Sequence, residues 1–197
     1  MKSKLSFLIG IILISFIITS CSDERPGQIE KVKSNTELSK KDKILKIADI
    51  TISDMGGDSI SYEIQKDDDG KDFLYVKVIN KDFVFSSTDI MKMVVRGKIA
   101  KYIWRFLQAT KDLGIDRIGI EYYGNVQTEA LNTEDALIYQ VYGIRDDFKD
   151  IAGFYEVDPY NVGDYDVIEP GTEEDRVVDA VDSAMQIIVD NSDQITF

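Results

Sequence analysis

Tyrosines alternate with acidic residues in one segment of the C-terminal third, which makes it the first candidate for binding chemistry. Its candidate residues are Tyr155, Asp158, Tyr160, Asp164, Tyr165 and Asp166. Tyrosine offers a rigid contact surface with a polar tip, and carboxylates bind sugar hydroxyls or cationic groups. Ca²⁺ takes similar oxygen ligands, but these acids, with Asn161, follow no fixed ligand spacing. We therefore predict a binding loop without a metal, and a solvated acidic loop is the alternative.

A second candidate is a stripe of basic residues, which stands out in an acidic chain. Lys98, Lys101 and Arg105 recur at helical spacing, opposite the apolar face of the helix in which they are predicted to lie. Such a stripe can dock an anionic partner, for example an envelope polymer or a lipid headgroup. The alternative is a solvated helix face whose charges pair with nearby acids.

The acidic run 67–72 invites comparison with a calcium-binding loop, and its spacing is wrong for one. With Gly70 at the obligatory glycine, Gln65 takes the first ligand position and Val76 takes that of the bidentate glutamate. The run therefore predicts a hairpin turn, flanked by two strands.

Two absences limit the possible reactions. The chain has no histidine, which excludes Ser-His-Asp and Cys-His catalysis and histidine metal sites. Cys21 is the only cysteine. No cofactor is expected and no catalytic residue is assigned. Carboxylate catalysis stays open because two acids roughly 5–10 Å apart suffice for glycoside hydrolysis. The 36 acidic residues do not single out a pair.

The N-terminus carries a targeting pattern. Lys2 and Lys4 precede an apolar run of 14 residues, 5–18, which leads into Ile18-Thr19-Ser20-Cys21. The length suits a signal-peptide core better than a membrane-spanning helix, which needs about 20 residues. The pattern resembles a bacterial lipoprotein signal with its lipobox. The resemblance implies cleavage just before Cys21, lipid on Cys21, and an extracytoplasmic domain held at a bacterial membrane. An uncleaved short anchor is the alternative.

Charge limits the partners of the remaining chain. The whole sequence has a formal charge of −13, and removal of residues 1–21 leaves 21 basic and 36 acidic residues, or −15. Such a charge argues against binding nucleic acid through its phosphates. It also disfavours broad contact with anionic lipid. A protein or a cell-envelope component is the expected partner.

Composition and periodicity divide the chain into three parts. Residues 1–21 are the signal, residues 22–43 are predicted to be a flexible tether, and residues 44–197 are predicted to form one domain. The predicted elements of that domain are a helical turn and a strand within 44–52, strands at 60–64 and 73–79, a helix at 89–113, strands at 117–123 and 136–144, a short helix at 146–153, a loop at 154–171 and a helix from 172 to about 190.

This order predicts an α+β fold, with a mainly antiparallel sheet packed against one long central helix and with a C-terminal helix. The expected function is that of a non-catalytic binding module for a protein or an envelope component. A carboxylate-dependent hydrolase of envelope glycan is the alternative, and a role in blocking another protein at the cell surface is a third possibility.

Overall fold

The computed structural model describes residues 23–84, 89–127, 133–160 and 170–192. In chain order its helices are α1 (Arg25–Ser34), α2 (Lys40–Ile52), α3 (Asp89–Ala109), α4 (Arg145–Phe148) and α5 (Glu173–Ala184). Its strands are β1 (Ser59–Lys66), β2 (Asp72–Val84), β3 (Arg117–Gln127), β4 (Thr133–Ile144) and β5 (Gln186–Asp190). The predicted α+β class is confirmed, with a five-stranded mixed sheet.

The strands lie side by side in chain order, β1-β2-β3-β4-β5. The β2–β3 pairing is parallel, and the other three pairings are antiparallel. Parallel neighbours need a long crossover connection, and α3 lies in the connection between β2 and β3. The acidic run forms the predicted hairpin turn, where Asp67 Oδ1 accepts a hydrogen bond from Lys71 N at 2.8 Å. Gly70 supplies the positive φ of +74° that this turn requires.

The segment predicted to be a tether is helical over much of its length, and this corrects the prediction for residues 25–34 and 40–43. Pro26 stands in the first turn of α1, where its missing N–H costs nothing. Ile29 is buried against Ile47, Ala109 and Tyr160. The helix is therefore held on the domain by this apolar contact and by the ion pairs of Arg25 with Asp54 and of Lys33 with Asp112.

The strand predicted in the second half of 44–52 is also wrong, because α2 continues through it. Its buried residues recur at helical spacing: Ile44, Ile47, Ala48, Thr51 and Ile52. Ile50 and Ile52 alternate as residues of a strand do, but so short a stretch does not distinguish a strand from a helix.

Helix α3 is buried on nearly all sides in its C-terminal half, and Trp104 is fully buried in the core. Trp104 Nε1 donates to the Phe154 carbonyl at 2.8 Å. Gln108 Nε2 donates to the same carbonyl at 3.1 Å and to that of Val157 at 3.0 Å. These bonds fix the start of the segment that follows α4.

The C-terminal helix is shorter than predicted. Thr172 caps α5, accepting a hydrogen bond from Asp175 N at 3.2 Å, and the helix ends at Ala184. Residues 186–190 then form β5 at the edge of the sheet, paired with β4. The β-branched run Ile187-Ile188-Val189 favours a strand over a helix, which explains the correction. Strand β3 likewise continues past Gly124, where the sequence predicted a break.

Candidate functional site

The structure does not bring the described residues of the predicted tyrosine-acid loop onto one surface. Tyr155 is 38% exposed, whereas Tyr160 is only 7% exposed. Asp158 uses Oδ1 to accept a hydrogen bond from Tyr160 N at 2.9 Å, which shapes the turn. The remaining residues of the prediction, Asp164, Tyr165 and Asp166, lie outside the described residues. Tyr160 is thus corrected from a binding residue to a packing residue.

Tyr160 belongs to an arginine cluster, which consists of Asp23, Arg25, Asp54, Arg105 and Tyr160. Both guanidinium groups lie near the tyrosine ring, with Arg25 Cζ 5.3 Å and Arg105 Cζ 5.1 Å from its centroid. Asp54 Oδ2 is shared by the two arginines, with Arg105 Nη1 at 3.2 Å. Asp23 accepts from Arg25 Nε at 2.9 Å. The cluster therefore joins α1, the turn after α2, α3 and the segment after α4.

Opposite charges control protonation in the arginine cluster. Burial on its own would raise the pKa of Asp54, but the guanidinium groups of Arg105 and Arg25 outweigh it and hold that pKa below its ordinary 3.8. The same balance, with Arg25 as the main partner, lowers the pKa of Asp23. Burial raises the pKa of Tyr160 above its ordinary value. At neutral pH the cluster therefore holds two carboxylates and a neutral phenol.

Acid is expected to weaken the fold partly through Asp54. Because its pKa is lower in the folded chain than in the unfolded chain, its contribution to stability is fully present above about pH 4 and is lost as the pH falls through the folded-state pKa. Asp54→Asn should therefore reduce the loss of stability that occurs as the pH falls below about 4. Urea unfolding at several pH values measures this slope. Asp68→Asn, in the exposed turn, is the control, and equal slopes for all three chains would contradict the prediction.

The predicted basic stripe is divided between two environments. Arg105 is 1% exposed and lies in the arginine cluster, with Nε donating to the Pro159 carbonyl at 3.0 Å. Lys101 is 8% exposed, and Lys98 is half-buried. The prediction of one solvent-facing stripe is therefore wrong, because α1 and the segment after α4 cover the side of α3 that carries Arg105.

Lys98 and Lys101 instead line a helix groove of about 340 Å³ between α3 and α5. Asp175, Asp179 and Asp182 line the wall that α5 provides. Asp182 receives two hydrogen bonds from Arg96, at 3.0 and 2.8 Å, while burial raises its pKa. All three carboxylates lie on one helix, and lysines stand on the opposite wall. Glycoside hydrolysis needs two carboxyl groups that flank the scissile bond, and these acids do not face one another in that way.

The sheet provides a second surface, on its face away from the helices. Core side chains such as Leu74, Val76 and Val78 alternate along each strand with side chains that point to the opposite side. We call this opposite side the open face. Its residues include Ser61, Glu63, Gln65, Phe73, Tyr75, Lys77, Gly119, Glu121, Tyr123, Gln140 and Tyr142.

Glu121 lies at the centre of the open face and is held by three neighbours. Tyr75 Oη donates to its Oε2 at 2.6 Å, and Tyr123 Oη donates to the same oxygen at 3.1 Å. Gln140 Nε2 donates to Oε1 at 3.3 Å. Lys77 Nζ lies 4.4 Å from the centroid of the Tyr123 ring. These contacts fix a carboxylate among aromatic rings on a rigid sheet.

Phe73 and Tyr142 form an aromatic pair beside Glu121, with ring centroids 5.1 Å apart. Gly119 permits this arrangement, because a Cβ there would lie 3.0 Å from Tyr142 Cε2. Burial raises the pKa of Tyr142 to about 12, and nearby Asp67 adds to the rise. Burial and then Glu121 raise the pKa of Tyr75. Both phenols therefore stay protonated and remain hydrogen-bond donors at neutral pH.

Two adjoining depressions follow the open face. The first, of about 310 Å³, is lined by side chains that include Gln65, Tyr75, Glu121 and Gln140. The second, of about 500 Å³, includes Asp67 and Arg117, which form an ion pair. Phe73 and Tyr142 line both depressions and so connect them.

Sequence reasoning missed the open face, although part of its signal was visible. Phe73, Tyr75 and Lys77 alternate with buried residues along β2, and a period of two places them on one side. These side chains lie beside Glu121 only because β2 pairs in parallel with β3, which places Lys77 opposite Glu121. The order of strands in the sheet was not predicted.

Within residues 23–84, 89–127, 133–160 and 170–192, no three His, Cys, Asp or Glu side chains are grouped so as to hold a metal ion. None of the helices in these ranges is long and apolar enough to cross a membrane.

Comparison of the chain with protein-family models, with curated proteins and with solved structures gives no match. Function is therefore argued from the site alone.

Proposed function

We propose that this chain is a lipid-anchored extracytoplasmic lipoprotein whose domain is a non-catalytic binding module for a cell-envelope component or a protein. The observation that carries the binding role is the open face, where Tyr75, Tyr123 and Gln140 hold Glu121 among aromatic side chains. Aromatic rings and fixed polar groups on a rigid scaffold are what a recognition surface requires.

The scaffold supports this proposal. We regard the sheet as mainly antiparallel and α3 as its central helix, since three of four pairings are antiparallel and α3 contributes more buried residues than the other helices. Helices α2, α3 and α5 all contribute to one core, and none of the helices in the described part of the chain covers the other face of the sheet.

The lipid anchor rests on the resemblance of residues 18–21 to a lipobox. The acidic charge is consistent with a domain that is held near a membrane by lipid and makes little broad contact with anionic headgroups. No nucleic acid is expected as a partner.

A photo-activated cross-linker placed at position 123 tests the open face. In the full chain, in intact cells, it is expected to capture an envelope component, because the activated group inserts into C–H bonds of protein or polysaccharide. Glu121→Gln should reduce that capture about tenfold, since charge-assisted hydrogen bonds to the carboxylate are lost. Gel mobility and mass spectrometry of the captured species give the measurement.

The controls are the same cross-linker at Tyr155, in the loop that the sequence favoured, and at exposed Glu37 in the α1–α2 connection. Neither control is expected to give the species captured at position 123. Capture at Tyr155 but not at 123 would move the binding surface back to the loop. No capture at any of the three positions would contradict the binding role of both surfaces.

A further inference from the structure

We infer that the ligand of the open face is a neutral oligosaccharide, which rests on the proposed binding function and makes it more specific. One side of a sugar ring presents C–H groups, and these pack on flat aromatic faces. The rings of Tyr75, Tyr123 and Tyr142 offer such faces, because all three tyrosines are half-buried rather than enclosed in the core. Phe73 is buried and supports the ring of Tyr142, with the two ring centroids 5.1 Å apart.

Hydrogen bonding on the open face fits hydroxyl groups. A carboxylate has about four lone-pair sites, and Glu121 receives three hydrogen bonds from its neighbours. It therefore keeps one acceptor site, on the Oε1 side, for a ligand hydroxyl. Gln140 also has a carbonyl oxygen that can accept a hydrogen bond. Since three neighbours hold the carboxylate in place, little side-chain entropy is lost when a ligand binds.

The charges favour a neutral ligand over an anionic polymer. Glu63 and Glu121 lie on the open face, and Asp67, Asp68 and Asp69 line the second depression. Lys77 beside Glu121 and Arg117 paired with Asp67 offset only part of this negative charge, so a polyanion would be repelled. A neutral sugar with hydroxyl and acetamido groups meets no such repulsion.

The dimensions favour several sugar units. The depressions of about 310 and 500 Å³ meet at Phe73 and Tyr142, which gives a continuous surface. Small-molecule sites occupy about 300–1,000 Å³. A peptide is a poorer match, because peptides commonly add to the edge of a sheet through main-chain hydrogen bonds. On the open face, the main chains of β2, β3 and β4 are already paired with their neighbours.

Calorimetric titration of the full chain in detergent tests the inference. The probes are the neutral trisaccharides chitotriose and cellotriose, the anionic trisaccharide trigalacturonate, and a neutral pentapeptide of alanine and glycine. At least one neutral trisaccharide is expected to bind. Tyr142→Ala and Glu121→Gln should each weaken that binding at least tenfold, and Gln140→Ala should weaken it severalfold. Glu37→Gln is the matched control and should leave the affinity unchanged.

Thermal unfolding shows whether each variant folds. If Tyr142→Ala does not fold, Gln140→Ala still tests whether the open face binds the saccharide. Binding of only the peptide or only trigalacturonate would overturn the inference, as would saccharide binding that none of the open-face variants weakens. If no neutral saccharide binds while position 123 still captures a partner in cells, the saccharide inference fails and the binding module stands. If no neutral saccharide binds and the cross-linker at position 123 captures no partner, both the saccharide inference and the binding role of the open face fail.

Discussion

Arg105→Ala is expected to lower the free energy of unfolding by about 3 kcal/mol. The side chain is 1% exposed, donates from Nε to the Pro159 carbonyl at 3.0 Å and pairs with Asp54 at 3.2 Å. Alanine removes both bonds and leaves a cavity beside the ring of Tyr160. This loss of unfolding free energy lies at the lower end of the range for a fully buried ion pair. The side chain of Asp54 is 36% exposed, so water can partly replace Arg105 as its partner. Urea unfolding followed through Trp104 fluorescence measures the change.

Lys98→Ala is the matched control, since it removes a basic residue from the same helix. It is expected to lower the stability by no more than about 1 kcal/mol, because ion pairs of a side chain that stays partly exposed contribute little. Arg105→Lys should lower the free energy of unfolding by an amount between those of the two alanine variants, because lysine keeps the charge but lacks the planar fork of donors. Equal effects of Arg105→Ala and Lys98→Ala would show that both residues behave as members of one solvated stripe, against the structure.

Cys21→Ser is expected to abolish incorporation of labelled palmitate. The lipobox resemblance assigns the lipid to this residue, and the chain has no other thiol that could carry it. Intact mass spectrometry of the unsubstituted protein should show the loss of residues 1–20 from the 22.3 kDa chain and the gain of acyl groups. Two or more acyl chains give stable attachment, since each buried methylene contributes about 0.8 kcal/mol.

Ser20→Ala is the control for this experiment, because it keeps a small residue before the cysteine and should leave both the label and the processing intact. An unsubstituted chain of full mass without label would instead identify residues 5–18 as an uncleaved anchor and would refute the lipoprotein assignment.

Local patterns explain which elements could be predicted from the sequence. Alternation of Ile60, Tyr62 and Ile64 identified β1, and the acidic turn after it identified the hairpin. The helical period from Asp89 onward identified α3, and Trp104 lay within its apolar arc. Each of these signals extends over enough residues to distinguish a period of two from one of 3.6.

The remaining features depend on contacts between segments distant in sequence. Arg105 lies on the polar side of α3 when that helix is considered alone, and only the packing of α1 and of the Pro159 segment buries it. Ile187-Ile188-Val189 is too short a run to distinguish a helix end from a strand, and pairing with β4 decides it. The sequence contains 36 acidic residues and does not distinguish Glu121 from the others. Only the register of β2 and β3 places Glu121 among tyrosines.

The ion pairs of Arg25 would limit how far the domain can move from the lipid that we propose on Cys21. Asp23 and Arg25 form a hydrogen-bonded ion pair, and Arg25 also forms an ion pair with Asp54 in the body of the domain. Only Ser22 separates Asp23 from Cys21, and two Cα–Cα steps span at most about 7.6 Å. With lipid on Cys21, as we propose, the arginine cluster would therefore lie near the point of membrane attachment. The domain would stay within about one domain diameter of the membrane, and its ligand would have to come to that distance.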